Sequence, residues 1–112
     1  MLATDAAWLK RFPELEILID SDTLQARVRE LGEQITRDYG AHPPLLVGVL
    51  KGSLVFLADL MRTIPLPMSY DFVAISSYGA ETQTTGQVRL IKDLDSPIHG
   101  RHVLVVEDIY DT

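Results

Sequence analysis

The sequence contains no cysteine in its 112 residues. That excludes disulfide cross-links and thiolate metal centres as sources of stability or chemistry. Basic residues are scarce beside acidic ones: ten Lys and Arg stand against sixteen Asp and Glu, for a formal charge of −6. Nucleic-acid recognition wants a basic face, so no nucleic-acid partner is expected. The same acidity does not exclude a phosphorylated small molecule, because a metal ion can offset its charge locally. Long hydrophobic runs are missing too. No stretch approaches the roughly 20 apolar residues of a membrane span, so no membrane partner is expected. Met1-Leu2-Ala3-Thr4-Asp5 is not a basic region leading into an apolar run, which argues against a signal peptide. The expectation is a cytoplasmic protein. Repeats, low-complexity tracts and linkers are also absent, and at 46% hydrophobic residues the composition is ordinary for a globular core. Residues 1–112 therefore read as a single domain or part of one.

What is present is an alternation of strand and helix patterns, the mark of an α/β fold with a mainly parallel sheet. Residues 1–13 are a weakly patterned lead-in, a short helix or frayed arm around Trp8 and Phe12. Glu14–Ile19 turns apolar and suits a short strand. Ser21 or Asp22 can cap a helix, in which Leu24, Val28, Leu31, Ile35 and Tyr39 form one apolar stripe. The plain reading of that helix is packing, with no site on it. Gly40 ends it and Pro43-Pro44 prevents its resumption. Leu45–Leu50 is a buried-strand pattern that runs through Lys51-Gly52-Ser53 into a helix over Leu54–Arg62, with Leu54, Leu57, Leu60 and Met61 inward. Met68–Ser76 and Gln87–Lys92 are further strands, joined by the hydroxyl-rich segment 77–86.

The last stretch, Val103-Leu104-Val105-Val106-Glu107-Asp108-Ile109-Tyr110-Asp111-Thr112, is the candidate centre of function. Four apolar residues, three of them β-branched, predict a central strand buried on both faces. Two adjacent carboxylates follow at its carboxyl end, where ligands bind in open α/β sheets. A second turn, Lys51-Gly52-Ser53, has the strand–turn–helix geometry that gathers N–H groups for an anion, although it lacks the flanking glycines of a P-loop. Asp93 and Asp95 form an Asp-x-Asp after an apolar strand, the pattern of aspartate-based phosphatases, but Pro97 departs from that motif. His99 and His102 have no partner at metal-ligand spacing and read as loop residues.

Val106-Glu107-Asp108-Ile109-Tyr110-Asp111-Thr112 resembles the start of the phosphoribosyl-pyrophosphate (PRPP) loop of purine phosphoribosyltransferases, the bacterial hypoxanthine (hypoxanthine-guanine) type in particular. Leu50-Lys51-Gly52-Ser53, Ser76-Ser77-Tyr78-Gly79 and Lys92-Asp93-Leu94-Asp95 resemble that family's segments in the same order, so the likeness covers roughly residues 14–112. It implies a phosphoribosyltransferase fold, with a parallel-rich sheet, flanking helices and a flexible hairpin over the carboxyl edge. It also implies transfer of a phosphoribosyl group from PRPP to hypoxanthine or guanine, releasing pyrophosphate, with Mg²⁺ as cofactor and a homo-oligomeric assembly, dimer or tetramer. By the same resemblance, Lys51 and Gly52 bind pyrophosphate, across a Leu50–Lys51 peptide that is often cis in the family. Glu107 and Asp108 hold the ribose hydroxyls and the metal. Asp111 is the proton acceptor at the purine, Thr112 donates to the 5′-phosphate, and Ser77 and Tyr78 belong to a lid. The family's loop continues with a glycine and a helix start, so this sequence is expected to be the N-terminal portion of a longer enzyme, inactive and poorly stable by itself. The competing readings are a phosphoribosyltransferase-like regulatory protein that binds RNA, against which the charge argues, and a phosphatase using Asp93 and Asp95.

Overall fold

The computed structural model describes residues 6–76 and 89–109. In order, these form a 3-10 helix (Ala6–Arg11), α1 (Ser21–Tyr39), β1 (Leu45–Leu50), α2 (Leu54–Met61), β2 (Ser69–Ser76), β3 (Arg89–Lys92) and β4 (Val103–Val106). The strands make one sheet in the order β3-β2-β1-β4. β1 is parallel to both β2 and β4, and β3 returns antiparallel to β2. The carboxyl ends of β1, β2 and β4 therefore share one edge, and β3 ends at the other.

Strand register explains the core. Leu46 aligns with Leu104 and Tyr70, and Gly48 with Val106 and Phe72, so these side chains share one face of the sheet. On that face Leu46 and Val106 pack with Leu57, Leu60 and Ile64, and Val28, Leu31 and Ile35 of α1 close over them. The expected stripe on α1 thus does its packing through its middle, while Leu24 at the amino end stays exposed. At Gly32 α1 comes so close to the turn after α2 that a Cβ would lie 2.7 Å from Thr63 Cβ. Asp20, rather than Ser21 or Asp22, is the N-cap: its carboxylate accepts from Thr23 N at 2.8 Å. That bond holds the Asp20 carboxyl below its ordinary pKa.

Two expectations are corrected. Residues 14–19 form no strand; Leu18 is 90% exposed, and among the described residues this segment has no strand to pair with, without which an extended apolar run does not become sheet. Leu54 is exposed rather than inward, because α2 is only eight residues long and rests on the sheet through Leu57 and Leu60. β4, expected to be a central strand of a longer domain, lies at the edge of the sheet among the described residues, and Val105 on its open face is 68% exposed.

Candidate functional site

The carboxyl edge of the sheet brings together two segments far apart in sequence. The first is the turn from β1 into α2. The peptide Leu50–Lys51 is cis, as the resemblance implied. Ser53 is fully buried, and its hydroxyl donates back to Val49 O at 2.7 Å. It makes no side-chain bond to the first turn of α2; at that helix start Ser53 N donates to Val49 O at 3.4 Å and Leu54 N to Lys51 O at 3.0 Å. Gly48 makes this possible: a Cβ there would lie 2.7 Å from Ser53 Oγ and 2.9 Å from Leu57 Cδ1 and Phe72 Cε1. Lys51 is exposed, and among the described residues its ammonium has no ion-pair partner.

The second segment leaves β4. Val106 is buried as the last core residue of the strand, and Glu107 and Asp108 emerge exposed directly after it. Asp108 Oδ1 accepts from Ile109 N at 2.6 Å. Its Oδ2 faces Gly52, so closely that a Cβ on Gly52 would sit 2.9 Å from Asp108 Cγ and nearer still to Oδ2. The Lys51-Gly52 turn and the Glu107-Asp108 pair thus abut. The edge offers the exposed Lys51 and two exposed, hard carboxylates. Such a donor set suits a cation like Mg²⁺, which takes one or two carboxylates and completes its shell with water or ligand oxygens. Among the described residues no three His, Asp or Glu side chains converge to form a protein-only cage.

Ser77, Tyr78, Asp111 and Thr112 lie outside the described residues. β2 ends at Ser76 and its antiparallel neighbour β3 begins at Arg89, both at this same edge. Asp93 and Asp95 sit at the opposite edge, and both are occupied structurally. Asp93 Oδ1 accepts from Leu94 N at 2.7 Å. Asp95 pairs with Lys92 at 3.3 Å and donates its N–H to Asp71 Oδ2 at 2.8 Å. His102 packs against the rings of Tyr39 and His42.

Sequence reasoning missed the Asp71–Lys92 lock. Lys92 Nζ reaches Asp71 Oδ1 at 3.2 Å and Phe72 O at 2.8 Å. The N–H groups of Asp95 and Phe72, with Lys92 behind them, hold the Asp71 carboxyl below its ordinary range. Burial works to lower the Lys92 pKa, but Asp71 and Asp95 together raise it. The available signal was an Asp inside the apolar run Tyr70-Asp71-Phe72-Val73, since a charge half-buried in a strand needs a partner.

An open apolar groove of about 510 Å³ lies elsewhere, between α1, α2 and β4, lined by Leu31, Ile35, Phe56, Leu60 and Leu104. Glu107 touches its rim, but the groove offers few polar groups to a phosphorylated ligand. It is a gap in helix packing over β4.

A family model described as the phosphoribosyl transferase domain matches residues 16–112. The hypoxanthine-guanine phosphoribosyltransferase of Mycobacterium tuberculosis (strain ATCC 25618 / H37Rv) is 48% identical over 102 residues, covering 86% of this chain and 50% of its own length. The protein of the same name from Bacillus subtilis is 44% identical over 97 residues, covering 87% and 54%. The chain spans about half the length of the curated relatives it matches. Among solved structures, a hypoxanthine-guanine phosphoribosyltransferase from Bacillus anthracis superposes with a TM-score of 0.79 at 48% identity, covering 87% of this chain and 57% of that one. A Trypanosoma cruzi hypoxanthine phosphoribosyl transferase gives 0.78 at 38% identity, covering 87% and 55%.

Proposed function

The chain belongs to the phosphoribosyl transferase domain family, and from that premise we propose that it carries the PRPP-binding part of a hypoxanthine-guanine phosphoribosyltransferase. The observation that carries the reading is the contact between the Gly52 turn and Asp108 at the carboxyl edge of the sheet. A ligand with vicinal hydroxyls at one end and a diphosphate at the other spans such a pair of segments. In this reading Glu107 and Asp108 accept hydrogen bonds from the ribose 2′ and 3′ hydroxyls. Lys51 and the N–H groups of the Gly52 turn receive the diphosphate. Asp111 holds the proton of the purine N7, Thr112 donates to the 5′-phosphate, and Ser77 and Tyr78 cover the site and exclude water. Mg²⁺, held by Glu107 and Asp108 with ligand oxygens, would neutralise charge on the departing pyrophosphate. The products are IMP or GMP and pyrophosphate.

The same reading carries a cytoplasmic location and a homo-oligomeric whole protein. No described helix is long and apolar enough to cross a membrane. The phosphatase alternative has no support at Asp93 and Asp95, which serve the Lys92 lock.

The test is a chimera in which residues 1–112 replace the corresponding part of the Mycobacterium tuberculosis relative, assayed for IMP formation from PRPP and hypoxanthine. The chimera is expected to turn over, and Asp111→Asn in it to lose about 10²–10⁴ in rate, the usual cost of one positioned acid–base group. A folded chimera that binds neither PRPP nor purine would overturn the reading.

A further inference from the structure

The amino edge of the sheet, opposite the proposed PRPP site, carries two histidines that no sequence spacing brings together. His42 lies in the loop between α1 and β1, and His102 directly precedes β4. Leu45 and Val103, which open those two strands, are register partners, so the parallel pairing of β1 with β4 makes neighbours of the loops before them. Both backbones are pinned: His42 N donates to Tyr39 O at 3.0 Å, and His102 O accepts from Leu45 N at 2.9 Å. The two imidazole centroids lie 5.8 Å apart, with the rings tilted by 40°. Tyr39 meets the His102 ring edge-on at 6.0 Å. Both histidines are exposed, and among the described residues neither imidazole has a hydrogen-bond or ion-pair partner. The cation next in sequence is engaged elsewhere, since Arg101 donates to Ser69 Oγ at 3.0 Å.

From this geometry we propose that His42 and His102 form a second metal site, which takes a borderline transition cation such as Zn²⁺. Imidazole nitrogens ligate such ions at about 2.0–2.1 Å, and two rings on one ion sit with centroids roughly 5–6 Å apart. The observed separation falls in that range, and the χ2 torsion of histidine is soft enough to turn one nitrogen of each ring inward. Among the described residues no third His, Asp or Glu joins the pair, so water fills the remaining positions of an open, solvent-facing site. Ligand type sets the selectivity. Neutral imidazole suits Zn²⁺, Cu²⁺ and Ni²⁺, whereas Mg²⁺ takes hard oxygen donors such as those of Glu107 and Asp108. The charge of −6 and the carbonyl end of α1 at Tyr39 both favour a cation here. An ion held by both rings fastens the α1–β1 loop to the start of β4 and stabilises the fold by binding it.

The experiment titrates Zn²⁺ calorimetrically into the full-length chimera that carries residues 1–112, in excess Mg²⁺ so that oxygen sites are filled. The proteins compared are the unaltered chimera, His42→Gln, His102→Gln, the double variant, and His99→Gln as a loop histidine outside the pair. Thermal unfolding of each is followed with and without Zn²⁺. The unaltered chimera and His99→Gln are expected to bind one Zn²⁺ that the double variant does not, and to unfold at a higher temperature with it. Each single variant should bind that ion about tenfold or more weakly, since even a residue behind a metal ligand commonly contributes that much. Two single variants on different segments keep the test decisive should one of them misfold. Equal Zn²⁺ uptake by the unaltered chimera and the double variant would overturn the proposal and leave the rings as packing for Tyr39. An equal loss in His99→Gln, or displacement of the ion by raised Mg²⁺, would overturn it too. None of these readouts involves turnover, so the transfer reading stands or falls separately.

Discussion

At single residues, the carboxyl edge depends on two glycines placed where a neighbour needs the room. Gly48 lies in the apolar run of β1, and its empty position admits Ser53 Oγ, Leu57 and Phe72 at once. Gly48→Ala should therefore cost about 1–3 kcal/mol, the usual range for overpacking a filled core, read as a lower denaturant midpoint. An unchanged midpoint would mean the turn shifts freely. A glycine inside a strand signals a close approach, so this position was legible in kind, but its partners were not. Glu107 and Asp108 were legible because a buried strand followed by two carboxylates marks a sheet edge. Their contact with Gly52 was not, since it joins residues more than fifty positions apart through a register that no local pattern encodes.

Among the elements, the β2–β3 pair is held by a charge lock as well as by its ladder. Asp71 titrates below its ordinary value near 3.8, so its contribution to stability is fully present above that value and is lost as pH falls through the lower folded-state pKa. Lys92 titrates above 10.5, so its share is fully present below that value and is lost as pH rises through the higher folded-state pKa. The lock should thus hold from about pH 4 to about pH 10. Asp71→Asn is expected to lower thermal stability at pH 7, by an amount that shrinks as pH is brought below 4. A loss independent of pH would assign the effect to packing. Strand and helix elements were readable wherever apolar periodicity met a partner, as in α1, β1 and β4. The pattern misled at 14–19, where Ile17, Leu18 and Ile19 have β propensity but, among the described residues, no strand to pair with. The exposure of Val105 is not carried by the strand itself, because burial of a strand's second face depends on what covers it and not on its own sequence.

Over the whole molecule, apolar surface is left open on both sides of β4. Val105 faces solvent on one, the groove beside Leu104 lies on the other, and the strand's outer edge is unpaired among the described residues. Open edges of this kind pair with other chains. The 112-residue chain is expected to sediment faster as its concentration rises, and Val105→Lys, which places a charge on the edge, to reduce that dependence. A monomer at every concentration would contradict the expectation.

The central claim concerns the other end of β4: that the Gly52 turn and the Glu107-Asp108 pair form one metal-dependent PRPP site. The measurement that bears on it most directly is a calorimetric titration of PRPP into the full-length chimera that carries residues 1–112, with Mg²⁺ and again in excess EDTA. The account predicts saturable binding with Mg²⁺ and an affinity about tenfold or more weaker without it. Equal affinity in the two conditions, or no binding with Mg²⁺ present, would contradict it.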